Sequence, residues 1–347
     1  MGAWIAKNRT TVIVSVAVIV AAYAFYYLKN DIAPSMYVSA WGYAIPLVLA
    51  ALVGVIGERS GVVNIGIEGQ MLVAAFAGFF AAAYSGSLLV GVLAGIGSGL
   101  ILGGFLAWTT VKWRAGPLLA GGGLALIAFG FIYVPLGVLN IIATGITSFY
   151  YQPGQLLPGL MPKFDIWPLS KIPLIGEVFF SGTSIFATLA ILAAIGVHFA
   201  LFHTRWGLRT RAVGEYPSAA DTAGINVERL RLINVTLAGT LAGCAGVYLS
   251  MDASSSFERG MVAGRGFLAL AIMIMGAWRP LRALAMAIFF GFINAVASQL
   301  QAGGSIDIPP QLTGTLPFVV TIVVLAIAAG RVRAPGAVGQ PYVKGDQ

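Results

Sequence analysis

Apolar runs long enough to cross a membrane alternate with short polar segments along almost the whole chain. The runs fall at residues 11–27, 39–57, 71–84, 88–110, 116–140, 183–202, 232–251, 266–278, 283–300 and 312–330. A helix of about 20 apolar residues crosses about 30 Å of hydrocarbon, so the pattern predicts an all-α polytopic membrane protein with about ten transmembrane segments. Three polar stretches interrupt it. Residues 58–70 hold three glycines, Asn64, two glutamates and Arg59, and two readings stand: a turn, or a broken helix lining a polar cavity. Residues 141–181 form a long external loop with several prolines and few positive charges. Residues 205–231 form the longest charge-rich run, and the 331–347 tail reads as polar and loose. Residues 11–27 carry a second reading, a signal peptide with Ala22-Tyr23-Ala24 as cleavage site, but the run continues through Tyr27 and a retained span is preferred.

Charge orients the spans. The chain has 20 Lys and Arg against 12 Asp and Glu, and the basic residues cluster at the ends of apolar runs. A membrane therefore explains the net charge of +8, and nucleic acid is not needed as a partner. With both termini in the cytoplasm, the outer side holds only Lys29, Lys163, Lys171, Arg259 and Arg265, and the 205–231 run lies inside. One missed span would invert half the loops and spoil that asymmetry.

Several chemistries are excluded. The single cysteine, Cys244, makes no internal disulfide and reads as a packing residue. His198 and His203 are spaced too far apart to share a helix face, and no Cys/His metal spacing exists. Gly121-Gly122-Gly123 has no following Lys-Ser/Thr, so no phosphate loop is written here. No catalytic Ser/His/Asp or Cys/His set is apparent. The stripe Gly91, Gly95, Gly99 and Gly103, and the small residues Ala238, Gly239, Ala242, Gly243 and Gly246, predict close helix packing rather than chemistry. Pro46 should bend its span, and a neighbouring helix must then satisfy the freed carbonyl.

The polar residues left over are candidates for a pathway. Asn64, Glu68 and Gln70 lie in the 58–70 break, while Glu58 and Arg59 read as an interfacial pair. Trp41, Tyr43 and Phe257 are aromatics able to stack on a ligand or to anchor at an interface. In the 205–231 run, residues 217–223 predict a short helix with Pro217 at its first position and Gly224 at its left-handed cap. A short echo links Glu58-Arg59-Ser60-Gly61-Val62-Val63 to Glu258-Arg259-Gly260-Met261-Val262, as an inverted repeat would require.

The run from Glu215-Tyr216-Pro217-Ser218-Ala219-Ala220 to Gly224 resembles the coupling loop of ABC importer permeases, with serine where that loop has glutamate. It is closer to the branched-chain amino acid, simple-sugar and nucleoside permeases. The run from Gly57-Glu58-Arg59-Ser60-Gly61 through Asn64 to Glu68-Gly69 resembles the nucleoside-type members. The likeness covers residues 41–331. It implies a single transmembrane permease domain over 1–347, of type II-like architecture with two related half-bundles, with 204–231 as the coupling loop. It implies a nucleoside or sugar importer of the inner membrane that binds no cofactor itself. A separate cytoplasmic ATPase would hydrolyse ATP, a second permease would complete the channel, and an external binding protein would deliver cargo. The competing reading is a secondary transporter that uses Glu58 or Glu68 as an ion-linked carboxylate.

Overall fold

The computed structural model describes residues 33–113, 157–258, 260–302, 310–328 and 332–343. The spans expected at 11–27 and 116–140 lie outside the described residues. The long helices come in chain order as α1 (Ala33–Arg59), α2 (Ile67–Ser85) and α3 (Leu88–Val111). A two-stranded antiparallel ladder follows, β1 (Lys163–Phe164) with β2 (Thr183–Ser184), and it encloses the short α4 (Ile175–Phe179). Next are α5 (Ile185–His203), α6 (Arg205–Glu215), α7 (Pro217–Thr222) and α8 (Val227–Val247), which runs on as a π-helix through Tyr248–Ala253. The chain closes with α9 (Arg265–Met275), α10 (Pro280–Ala302) and α11 (Pro310–Ala328).

Six of these helices, counting α8 with its π-wound end as one, are long and apolar enough to cross a membrane. The central one is α1: 89% of its most apolar window is buried, against 22% for α3. It contacts α8, α9, α10 and α5. The outer helices turn leucines, valines and aromatics outward, among them Leu93, Ile101 and Phe105 of α3 and Leu192 and Phe199 of α5. Such faces suit a hydrocarbon solvent, in which burying leucine against leucine brings little gain and close backbone packing holds helices together.

The glycine stripes provide that packing. A Cβ on Gly99 would overlap the carbonyl oxygen of Gly239 and lie 2.7 Å from Gly243 Cα, and one on Gly103 would lie 3.0 Å from Gly239 Cα. The small face of α8 thus fits the glycine face of α3. On the other side of α8, a Cβ on Gly246 would overlap the carbonyl oxygen of Met71 in α2.

Pro46 behaves as its chemistry demands. It lacks the N–H that would bond to Gly42, and the hydroxyl of Tyr248 donates to that freed carbonyl at 2.9 Å. The satisfying group comes from the π-wound end of α8.

Two expectations need correction. The 205–231 run is mostly helical, because Thr204 caps α6 by accepting from Gly207 N at 3.2 Å and Asn226 caps α8 by accepting from Arg229 N at 2.9 Å. The tail is not loose over 335–342. Gly336 N donates to Glu215 Oε2 at 3.0 Å, Ala337 N to Gly214 O at 2.9 Å, and Gly339 N to Gly61 O at 3.0 Å. Polarity of the tail hid these bonds, since its backbone, not its side chains, does most of the docking.

Candidate functional site

The basic end of the bundle carries α6, α7 and the start of α8, with Arg205, Arg209, Arg211, Arg229 and Arg231. Here α7 ends in a Schellman cap: Ile225 N donates to Ala220 O at 3.0 Å and Gly224 N to Asp221 O at 2.9 Å, with Gly224 at φ +81°. Among the α7 candidates, Ala220 is buried, whereas Glu215, Tyr216, Ser218, Ala219 and Gly224 are exposed and Pro217 is half-buried. A short, rigid helix is thus displayed beyond the bundle on one buried anchor. Ala220 packs with Val213 of α6, Val227 of α8 and Tyr342 of the tail. Tyr342 also hydrogen-bonds Asp221.

Arg231 ties this region to the α1–α2 connection. Its Nε donates to Ser60 O and its Nη1 to Gln340 O, both at 3.0 Å. That connection opens with a second glycine cap, in which Val62 N donates to Gly57 O at 3.0 Å and Gly61 takes φ +91°. The tail, α7, α8 and the end of α1 are therefore one hydrogen-bonded unit.

The 58–70 run divides into a tight turn and the first turn of α2, which begins at Ile67 rather than Met71. Its acidic residues do not pair with Arg59. Glu58 accepts from the indole of Trp278 at 2.6 Å, and Arg59 donates to Trp278 O at 3.0 Å and Ala277 O at 3.3 Å. Glu68 accepts from Gly264 N at 2.8 Å and Gly266 N at 2.7 Å. The short α9 is consequently held at both ends by the α1–α2 connection, its first N–H groups by one carboxylate and its closing turn by Glu58 and Arg59. An 11-residue helix is too short to cross a bilayer, and these ties hold it against the bundle at both ends. The expectation of a Glu58–Arg59 pair fails because the turn at 277–278 offers each a better-placed partner. Asn64 donates to Gln70 Oε1 at 3.1 Å, and both amides are buried.

At the opposite end lies a cavity of about 480 Å³ between the N-terminal half of α1, the start of α5 and the π-wound end of α8. Trp41 and Tyr43 of α1 line it with Tyr248 and Asp252. Phe257 is placed elsewhere, its ring 5.4 Å from that of Phe76 and 5.9 Å from that of Phe80. Of the pathway candidates, Trp41 and Tyr43 line the cavity, whereas Asn64, Glu68 and Gln70 lie at the α1–α2 connection and the first turn of α2. Tyr248 and Asp252 were not singled out from the sequence, although the proline four residues after Gly42 signals that a donor must reach α1. Among the described residues no group of three or more metal-ligating side chains assembles. The rings of His198 and His203 do come within 5.8 Å, one turn and a residue apart on α5.

Residues 36–325 match a protein family described as the permease component of branched-chain amino acid transport systems. The nucleoside ABC transporter permease protein NupC of Lactococcus lactis is 37% identical over 319 residues, covering 87% of this chain and 94% of the relative. The guanosine ABC transporter permease protein NupQ of Bacillus subtilis is 37% identical over 316 residues, with the same two coverages. The glucose ABC transporter permease protein TsgB13 of Haloferax volcanii is 25% identical over 271 residues, covering 74% of this chain and 68% of the relative. No solved structure matches. With its apolar helices, its glycine-packed bundle and a family match over most of its length, this chain belongs to the membrane-embedded permeases of the branched-chain amino acid transport family.

Proposed function

We propose that this protein is a permease subunit of an ATP-binding cassette importer that moves nucleosides into the cytoplasm by alternating access. Sugars are the second cargo class. The observation that carries the reading is α7, a rigid helix capped by Gly224 and displayed on the basic end. That end faces the cytoplasm by its arginines, and in this reading both termini are on the cytoplasmic side of the plasma (inner) membrane. A separate ATPase receives α7, a second permease subunit supplies the other half of the pathway, and an external binding protein delivers cargo. About ten spans, two inverted-repeat half-bundles and a type II-like arrangement complete the architecture. ATP is hydrolysed by the partner, and this chain needs no cofactor. Asn64, Glu68 and Gln70 lie at the broken connection that moves with the coupling end.

The bond network supports a mechanism. A push on α7 passes through Ala220 and Tyr342 to the tail, and through Arg231 to the end of α1 and the start of α8. The end of α1 in turn grips α9 through Glu58 and Arg59. ATP-driven closure therefore reaches α9 through a continuous series of contacts.

Coupling by a proton or sodium gradient is less well supported. Both oxygens of Glu68 already accept backbone N–H bonds, and Glu58 is held by Trp278, so each carboxylate has structural work.

Gly224→Val tests the proposal. A β-branched residue at positive φ is strained by about 1–2 kcal/mol or more, so the cap should open. In proteoliposomes the variant complex should still bind and hydrolyse ATP while nucleoside uptake falls at least about tenfold. Uptake at the normal rate from a normally assembled complex would show that α7 is not the coupling element.

A further inference from the structure

We propose that the cavity between α1, α5 and the π-wound end of α8 is a transit site for a neutral nucleoside, with Trp41 and Asp252 as its hydrogen-bonding residues. The proposal deepens the importer reading and rests on it for the cargo class.

Three departures from regular structure meet at this one cavity. The first is the missing backbone bond at Pro46 within the continuous α1, whose freed Gly42 carbonyl is taken by Tyr248. The second is the π-helix Tyr248–Ala253, in which Ser254 N reaches back five residues to Leu249 O at 3.3 Å. A π-turn costs helix stability and recurs at functional sites, because it re-aims side chains that a regular helix would turn away. The third is a pair of unsatisfied polar atoms. The indole nitrogen of Trp41 and Oδ2 of Asp252 are both buried and have no partner among the described residues. Trp41 is 4% exposed, so its N–H is an orphaned donor in a wall shielded from water. An orphaned buried donor costs about 1–3 kcal/mol, and so does an orphaned acceptor. Both residues line the same cavity, and a ligand that carries an acceptor and a donor would satisfy the two atoms together on a small shift of the wall.

The lining narrows the ligand class. Trp41, Tyr43 and Tyr248 all line the cavity, with the half-buried Tyr43 ring the most accessible of the three, and an aromatic lining suits a planar base. Asp252 shares the lining with Arg265 and Lys163, so neither sign of charge dominates the wall and a neutral ligand fits it better than an ion. Lys163 sits exposed at the rim. A neutral molecule with a flat base and hydroxyl donors meets all three conditions, and about 480 Å³ is within the range of small-molecule sites.

The test is equilibrium binding of radiolabelled guanosine to the purified permease–ATPase complex without the binding protein. Saturable binding is expected in the wild type. Trp41→Phe keeps a ring and removes the N–H, and Asp252→Asn keeps the shape and removes the charge. Each should raise the Kd about tenfold, the value of one lost hydrogen bond. Co-purified ATPase in normal ratio checks that the variants are assembled. Binding that is undetectable in the wild type, or unchanged in both variants, overturns the site. Displacement of guanosine by glucose at equal concentration overturns recognition of a base. If binding behaves as expected and the complex shows no ATP-driven uptake, the site stands and the importer reading falls.

Discussion

Removing the carboxylate of Glu68 should loosen the contact between α2 and the start of α9, and the geometry sets how much. The two oxygens accept from Gly264 N at 2.8 Å and Gly266 N at 2.7 Å, which are donors at the start of α9. Hydrogen bonds to a charged acceptor contribute about 1.5–3 kcal/mol each. Water cannot readily take the place of the side chain. The backbone of Gly266 comes so near that a Cβ there would lie 2.5 Å from Glu68 N. In Glu68→Ala both N–H groups are left bare in a low-dielectric setting, a loss of about 4 kcal/mol. In Glu68→Gln one amide oxygen still accepts, but the NH₂ group faces a second donor, a loss of about 2 kcal/mol. At about 2–4 °C per kcal/mol the glutamine variant should unfold about 4–8 °C below the wild type. Thermal unfolding of the detergent-extracted complex reads the shift, and ATP-driven uptake in proteoliposomes should fall in the same order, alanine below glutamine. A glutamine variant with the wild-type midpoint and no uptake would refute the argument. It would mean that the proton chemistry of the carboxylate matters, not its grip on α9.

Two further perturbations follow from the packing. Deleting residues 335–347 removes three backbone donors and the Gln340 carbonyl from the coupling end, about 1 kcal/mol each. Limited proteolysis should then cut within α6–α7 where the intact chain resists, and uptake should drop with the ATPase still bound; an unchanged digestion pattern counts against the strap. Gly239→Ala would drive a methyl into the carbonyl of Gly99 and should cost 1–3 kcal/mol or more, seen as poor yield and a lowered midpoint. On the facing helix, a Cβ on Gly97 meets nothing within 4 Å, so Gly97→Ala should leave both unchanged. Equal effects at the two glycines would show that the α3–α8 contact is not the one described.

The sequence by itself determined the class of protein and much of its framework. Runs of apolar residues must become helices in hydrocarbon, because no water is there to take the backbone's hydrogen bonds. That rule alone placed α1, α3, α5 and α8 to within a few residues, apart from the early starts of α1 and α8. The glycine stripes likewise declared a close helix contact, and Gly224 declared its cap, because only glycine takes positive φ without strain. The sequence did not say which helix meets which, or whom a charge faces. Glu58 and Arg59 are neighbours in the chain, yet their partners lie near residue 278, and Glu68 reaches residues 264 and 266. The tail looked loose because its docking groups are mainly backbone N–H and C=O, which every residue carries and no pattern marks. The cavity lined by Trp41 and Asp252 was invisible because it belongs to no one segment. It is made where a proline inside one helix meets a π-turn on another, and only the tertiary structure brings Trp41, Tyr248 and Asp252 to one wall.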